Sequence, residues 1–110
     1  WPNNVRIRMP WARTWITAYR STSGGKDKLG VVLVGSGDAV TEFWRAAEPH
    51  HEQIIEALPE GAVATDDGTK INISSTISSS DMSDDERRTW LIETINGFVN
   101  ALRPAMKRLV

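Results

Sequence analysis

Near the N-terminus three arginines and three aromatic rings crowd together: Arg6, Arg8, Trp11, Arg13, Trp15 and Tyr19. A guanidinium offers a planar fork of donors to phosphate or carboxylate oxygens, and it also stacks on rings. Tryptophan, tyrosine and arginine are the residues that dominate protein–protein hot spots. Two roles therefore fit the group: capture of a protein partner, or stacking on bases with ion pairs to phosphates. Neither is catalytic. The charge distribution points the same way. Residues 1–30 hold six basic residues against one acid, whereas residues 31–110 hold seven against thirteen. With an overall charge of −1, this split implies a dipolar surface.

Other candidate groups fail on spacing. LGVVLVGSGDAVTEFW, residues 29–44, has the order strand, glycine turn and helix start that opens many nucleotide sites. A dinucleotide fingerprint needs a third glycine where Val40 stands, and a phosphate loop needs a G-K-S/T ending that is absent. Gly35 and Gly37 are therefore assigned to a turn and Asp38 to a helix cap, where its charge would repel a phosphate. His50 and His51 diverge by about 100° on a helix and form no H-E-x-x-H. His51 is expected at the border of the core and His50 in solvent. Asp66, Asp67, Asp81, Asp84, Asp85 and Glu86 do not follow the spacing of a calcium loop. In Asp67-Gly68-Thr69-Lys70 the lysine lies one residue too far on for a magnesium nuclease motif. The serines lack a G-x-S-x-G elbow. We therefore expect no catalytic residue, no cofactor and no metal ligand.

The elements that position the arginines follow from periodicity. Val5, Ile7 and Met9 alternate with Arg6 and Arg8, the pattern of a half-buried strand. A second strand from Arg13 to Arg20 turns Thr14, Ile16 and Ala18 one way and Arg13, Trp15, Thr17 and Tyr19 the other. Residues 21–28 form a flexible polar turn, and Leu29–Val34, apolar on both faces, is a central strand. From Asp38 to Leu58 the period is helical, with Val40, Phe43, Trp44, Ala47, His51, Ile54, Ile55 and Leu58 on one stripe and Pro49 as a kink. Ala62–Thr65 and Lys70–Ile77 read as a hairpin about Asp66-Asp67-Gly68. Ser83 and Glu86 make a capping box for a last helix. Its stripe is Leu91, Ile95, Phe98 and Leu102, with Ile92 and Val99 beside it, and Pro104 bends its final turn.

The predicted order is β-β-β-α-β-β-α. Short connections favour antiparallel pairing, which gives an α+β two-layer sandwich: a mainly antiparallel five-stranded sheet with two helices packed on one face. At 110 residues the chain is read as one domain. It starts at Trp1 without methionine and is expected to be a fragment of a longer protein. It has no cysteine, no signal peptide and no apolar run long enough to span a bilayer, so no membrane partner is expected and cytoplasm is the default.

Three stretches carry a resemblance: NNVRIRMPWARTWITAYR, GVVLVGSGDAVTEFWRAAEPHHEQIIEAL and DDERRTWLIETINGFVNALRPAMKRL. Together they resemble an uncharacterised bacterial and archaeal domain family. Its members often form the C-terminal part of longer proteins, some with restriction-nuclease-like N-terminal regions. Trp90-Leu91, Phe98, Leu102 and Arg103-Pro104 fall where the family has its tryptophan-leucine pair and final arginine-proline turn. The resemblance implies an accessory or recognition domain and transfers no catalytic residue. The reading is thus a non-catalytic interaction domain. Its partner is a protein, a neighbouring N-terminal domain or a homodimer mate, held by the Arg/Trp/Tyr face; the alternative is a nucleic-acid-binding accessory domain using the same face. A small-molecule enzyme ranks last.

Overall fold

A computed structural model describes residues 4–68 and 70–109, so Asn3 of NNVRIRMPWARTWITAYR and Thr69 of the hairpin turn lie outside the described residues. The strands are β1 (Asn4–Arg8), β2 (Thr14–Ser21), β3 (Lys28–Gly35), β4 (Val63–Asp66) and β5 (Ile71–Ser78). They form one sheet in the order β1-β2-β3-β5-β4, with antiparallel pairing throughout. The doubly apolar strand is central, as its pattern predicts. Since β5 runs antiparallel to both its neighbours, β4 is parallel to β3 with β5 inserted between them.

Register decides which side chains share a face. Arg6 lies opposite Thr17, Thr17 opposite Val32, Val32 opposite Ser74, and Ser74 opposite Val63. The next row, Ile7, Ile16 and Leu33, points to the other side. There Ile16, Leu29, Val31, Leu33 and Ile73 are almost completely buried and join the helices in one core. A slip of one residue would exchange the two faces entirely, so this burial fixes the register.

The region read as one kinked helix is split in two. α1 (Ala39–Ala46) and α2 (His51–Ala57) are separated by a single 3₁₀ turn, Glu48–His50, which contains Pro49. Proline has no amide hydrogen to continue the ladder, which is why the break falls there. Ile54 and Leu58 point into the core, whereas Ile55, expected on the stripe, is 52% exposed.

α3 (Asp84–Leu109) begins with the expected reciprocal cap: Glu86 N–H donates to Ser83 Oγ at 3.1 Å and Ser83 N–H to Glu86 Oε1 at 3.0 Å. Its buried stripe is Leu91, Thr94, Phe98, Ala101, Leu102, Ala105 and Met106. Ile92 is 53% exposed and thus lies outside it. The helix continues through Pro104 to Leu109. Midway, Gly97 lets Pro59 pack against the helix, where any β-carbon would collide with the proline ring.

All three helices pack on the face that carries Ile16, Val31 and Ile73. Among the described residues no helix lies on the opposite face of the sheet.

Candidate functional site

The uncovered face is built by alternation. On β1 it receives Arg6 and Arg8, on β2 Trp15, Thr17 and Tyr19, and on β3 Lys28, Gly30, Val32 and Val34. β5 and β4 add the amide, hydroxyl and apolar groups of Asn72, Ser74, Thr76, Val63 and Thr65. Among the described strand residues of this face, the charged ones are Arg6, Arg8 and Lys28, and none is an acid.

Two rings define its relief. Tyr19 lies opposite Gly30, and its phenol end occupies the space in which a β-carbon on Gly30 would sit. The side chain therefore lies down across β3 instead of standing off the sheet, with one side of the ring against backbone and the other turned outward. Trp15 is half-buried, and the Arg6 guanidinium carbon sits 5.2 Å from its ring centroid, within cation–π range. The Trp15 Nε1 and Thr17 Oγ1 atoms are shielded from solvent and have no hydrogen-bond partner.

At the Arg8 end of the face is an open cleft of about 470 Å³ lined by Arg6, Arg8, Arg13, Thr14, Trp15 and Ser36. The turn from β1 to β2 shapes it. Met9 N–H donates to Thr14 C=O at 3.1 Å, and Thr14 Oγ1 donates to Trp11 C=O at 2.7 Å. Ser36 N–H donates to Arg13 C=O at 3.0 Å, which ties this turn to the end of β3. Arg13 has φ 62°, the only positive value at a non-glycine among the described residues. Its guanidinium stands 3.5 Å from Glu42, with both side chains more than half exposed. An ion pair of that kind is weak.

The structure thus gathers Arg6, Arg8, Arg13 and Trp15 around one cleft and places Tyr19 farther along the same face. Arg13 reaches the cleft from the turn, not from the strand in which the pattern put it. Trp11 departs from the group. It packs edge-on against Phe43 of α1, ring centroids 5.7 Å apart, because the turn directs this large apolar ring toward the core. Lys28 and Ser36 were not singled out in the sequence; alternation from Val32 back to Lys28 was the available signal for the first, and Ser36 offers none.

The other motifs have structural roles. Gly37 has φ 58° in the turn before α1, while Asp38 occupies the cap position without a side-chain capping bond. That turn borders an opening of about 520 Å³ where β3 and β5 part, since their ladder ends at Val32–Ser74. Asp66 and Asp67 accept from the N–H groups of Gly68 and Lys70, closing the hairpin turn. His51 stacks on Trp44, centroids 3.7 Å apart, and His50 is half-buried rather than in solvent. Among the described residues no cluster of His, Cys, Asp or Glu could hold a metal, and no helix is long and apolar enough to cross a membrane.

A second charged group escapes sequence reading because its members are distant in the chain. Asp27, in the segment read as a flexible turn, accepts from Arg20 Nε at 2.9 Å and Nη2 at 2.7 Å, and Arg87 of α3 approaches it at 3.1 Å. Arg87 also donates to Ser79 C=O from Nε and Nη2. The turn is therefore pinned to the start of α3. The hydrogen bonds from Arg20 hold the Asp27 carboxyl below the usual carboxylate range, and the Arg20 and Arg87 charges add to this against the opposing effect of burial. Glu86 is held low as well, first by the Ser83 amide. A carboxyl with a depressed folded pKa stabilises the fold above its unfolded value, about 3.9 for aspartate, and that contribution vanishes as pH falls through the folded value. Asp27→Asn should accordingly lower the thermal midpoint at neutral pH and flatten its acid limb. Thermal melts across the acid range check this.

No family model matches the chain, and no curated protein or solved structure matches it either.

Proposed function

We propose that this chain is a non-catalytic interaction domain that binds an anionic partner through its uncovered sheet face. The observation that supports this most strongly is the charge pattern of that face: cations and rings from β1, β2 and β3, with no acid among its described strand residues. A sheet face left open to water is ordinarily polar and of mixed charge. Here Trp15, Tyr19, Val32 and Val34 are half-buried at its centre, with exposed Arg6 and Arg8 on the edge strand beside them and Arg6 over Trp15. An apolar middle with a charged edge of one sign is the anatomy of a binding surface. The acidic surface of a protein or neighbouring domain would complement it, and so would a nucleic acid. The resemblance to an uncharacterised prokaryotic domain family implies the same accessory role.

Mapping by NMR tests the proposal. With a polyglutamate peptide or an oligonucleotide as probe at low salt, the amides of β1, β2 and the Arg13–Ser36 cleft should shift, and those of α3 should not. Shifts centred on the helices, or none with either probe, would remove the assignment.

A further inference from the structure

Resting on that reading, we infer that the partner is a single-stranded nucleic acid, with its phosphodiester backbone in the Arg6–Arg8–Arg13 cleft and a base on the outward side of Tyr19. Three independent features of the face lead there.

The cleft comes first. Arg6, Arg8 and Arg13 converge on one concavity, and the carboxylate paired with Arg13, that of Glu42, is itself solvated. Guanidinium forks arranged around a hollow match the tetrahedral oxygens of phosphate better than they match one another. Ser36 adds a hydroxyl to the same wall.

The backbone at Arg13 comes second. A φ of 62° suits glycine or asparagine, and a long side chain there carries a conformational cost. The turn needs the dihedral, but nothing in the turn needs an arginine: its one ion pair is long and exposed. A strained residue whose side chain points into a cleft is evidence for a role of that side chain. Glycine would relieve the backbone and remove the charge together.

The third feature is Tyr19. Lying across Gly30, its ring presents one side outward on a sheet face with no helix above it. A ring laid flat on a sheet is a stacking platform, and only an unpaired base can reach it. Tyr19 lies four residues along β2 from Trp15, about 13 Å at the usual rise of a strand, so platform and cleft lie along one line on the face. An acidic protein segment would satisfy the arginines and could pack one side chain on the ring, whereas a nucleotide strand brings a phosphate and a stacking base in every repeat and so matches cleft and platform together. The ring therefore favours nucleic acid.

The test measures anisotropy of a fluorescent oligothymidylate across a salt series, for the unaltered chain, Arg13→Gly and Tyr19→Leu. Binding should weaken linearly in log salt. Arg13→Gly should reduce that slope by about 0.7, one phosphate contact on a single strand, while raising the thermal midpoint. Tyr19→Leu should weaken binding about tenfold without changing the slope, as loss of one stacked base does. An unchanged slope in Arg13→Gly would show that the arginine only completes a turn, and would overturn the inference. Equal affinity for a duplex of the same length would overturn it too. If polyglutamate of matched charge binds as tightly as the oligonucleotide, the partner is an acidic protein: the inference fails and the interaction-domain reading survives. Failure of both probes to bind ends both.

Discussion

Phe98→Ala should remove about 3–5 kcal/mol of folding free energy, the largest stability effect expected of any replacement considered for this chain. Phe98 is wholly buried at the centre of the α3 stripe, between Leu91 and Leu102 along the helix, in the core shared with β2, β3 and β5. Its loss deletes the transfer free energy of a ring and leaves a void that neighbours in regular elements can fill only in part. A domain of this size has about 5–15 kcal/mol in all. The variant should therefore be only marginally folded at room temperature. Urea denaturation with the slope m held against the parent measures it. Ile92→Ala on the same helix is the control. Ile92 is 53% exposed, so its replacement should stay within about 0.5 kcal/mol. Equal effects at the two sites would mean that the stripe of α3 is wrongly placed.

The second large effect belongs to the site. Arg6→Glu combined with Arg8→Glu should abolish binding of an anionic probe while leaving the fold intact. Both side chains are exposed on an edge strand, and the structure gives them no buried partner to lose beyond the stacking of Arg6 on Trp15. That stacking is worth about 0.5–1 kcal/mol at an exposed site. On the binding side, two charged hydrogen bonds of about 1.5–3 kcal/mol each disappear, and two negative charges take their place. The expected loss is at least about 3 kcal/mol, more than a hundredfold in affinity. Circular dichroism should be unchanged. Probe binding within a few-fold of the parent would mean that the sheet face is not the binding surface, whatever the probe.

Periodicity found the strands and helices because each buries one side. Ile7 with Met9, and Leu91 with Ile95 and Phe98, announce their elements through spacings of two and of three to four. The capping box at Ser83–Glu86 was legible for a similar reason: it is a contact between residues three apart. The misplaced residues share a different cause. Ile55 fits the helical period yet is exposed, since a stripe says that one face is buried but not how far it extends or where a neighbour ends. Trp11 is close to the arginines in the chain, but the turn carries it to the other side of the sheet, against Phe43.

From its residues alone, the chain set the two-layer order, the central position of Leu29–Val34 and the alternation that sends Arg6, Arg8, Trp15 and Tyr19 to one face. These are local consequences of apolar spacing, available before any long-range contact forms. The tertiary structure decided the rest. It brought Ser36 to Arg13, laid Tyr19 across Gly30, gathered Arg6, Arg8 and Arg13 at one cleft and joined Asp27 to Arg87. Each of these depends on which strands become neighbours, and that is settled by how the whole core packs.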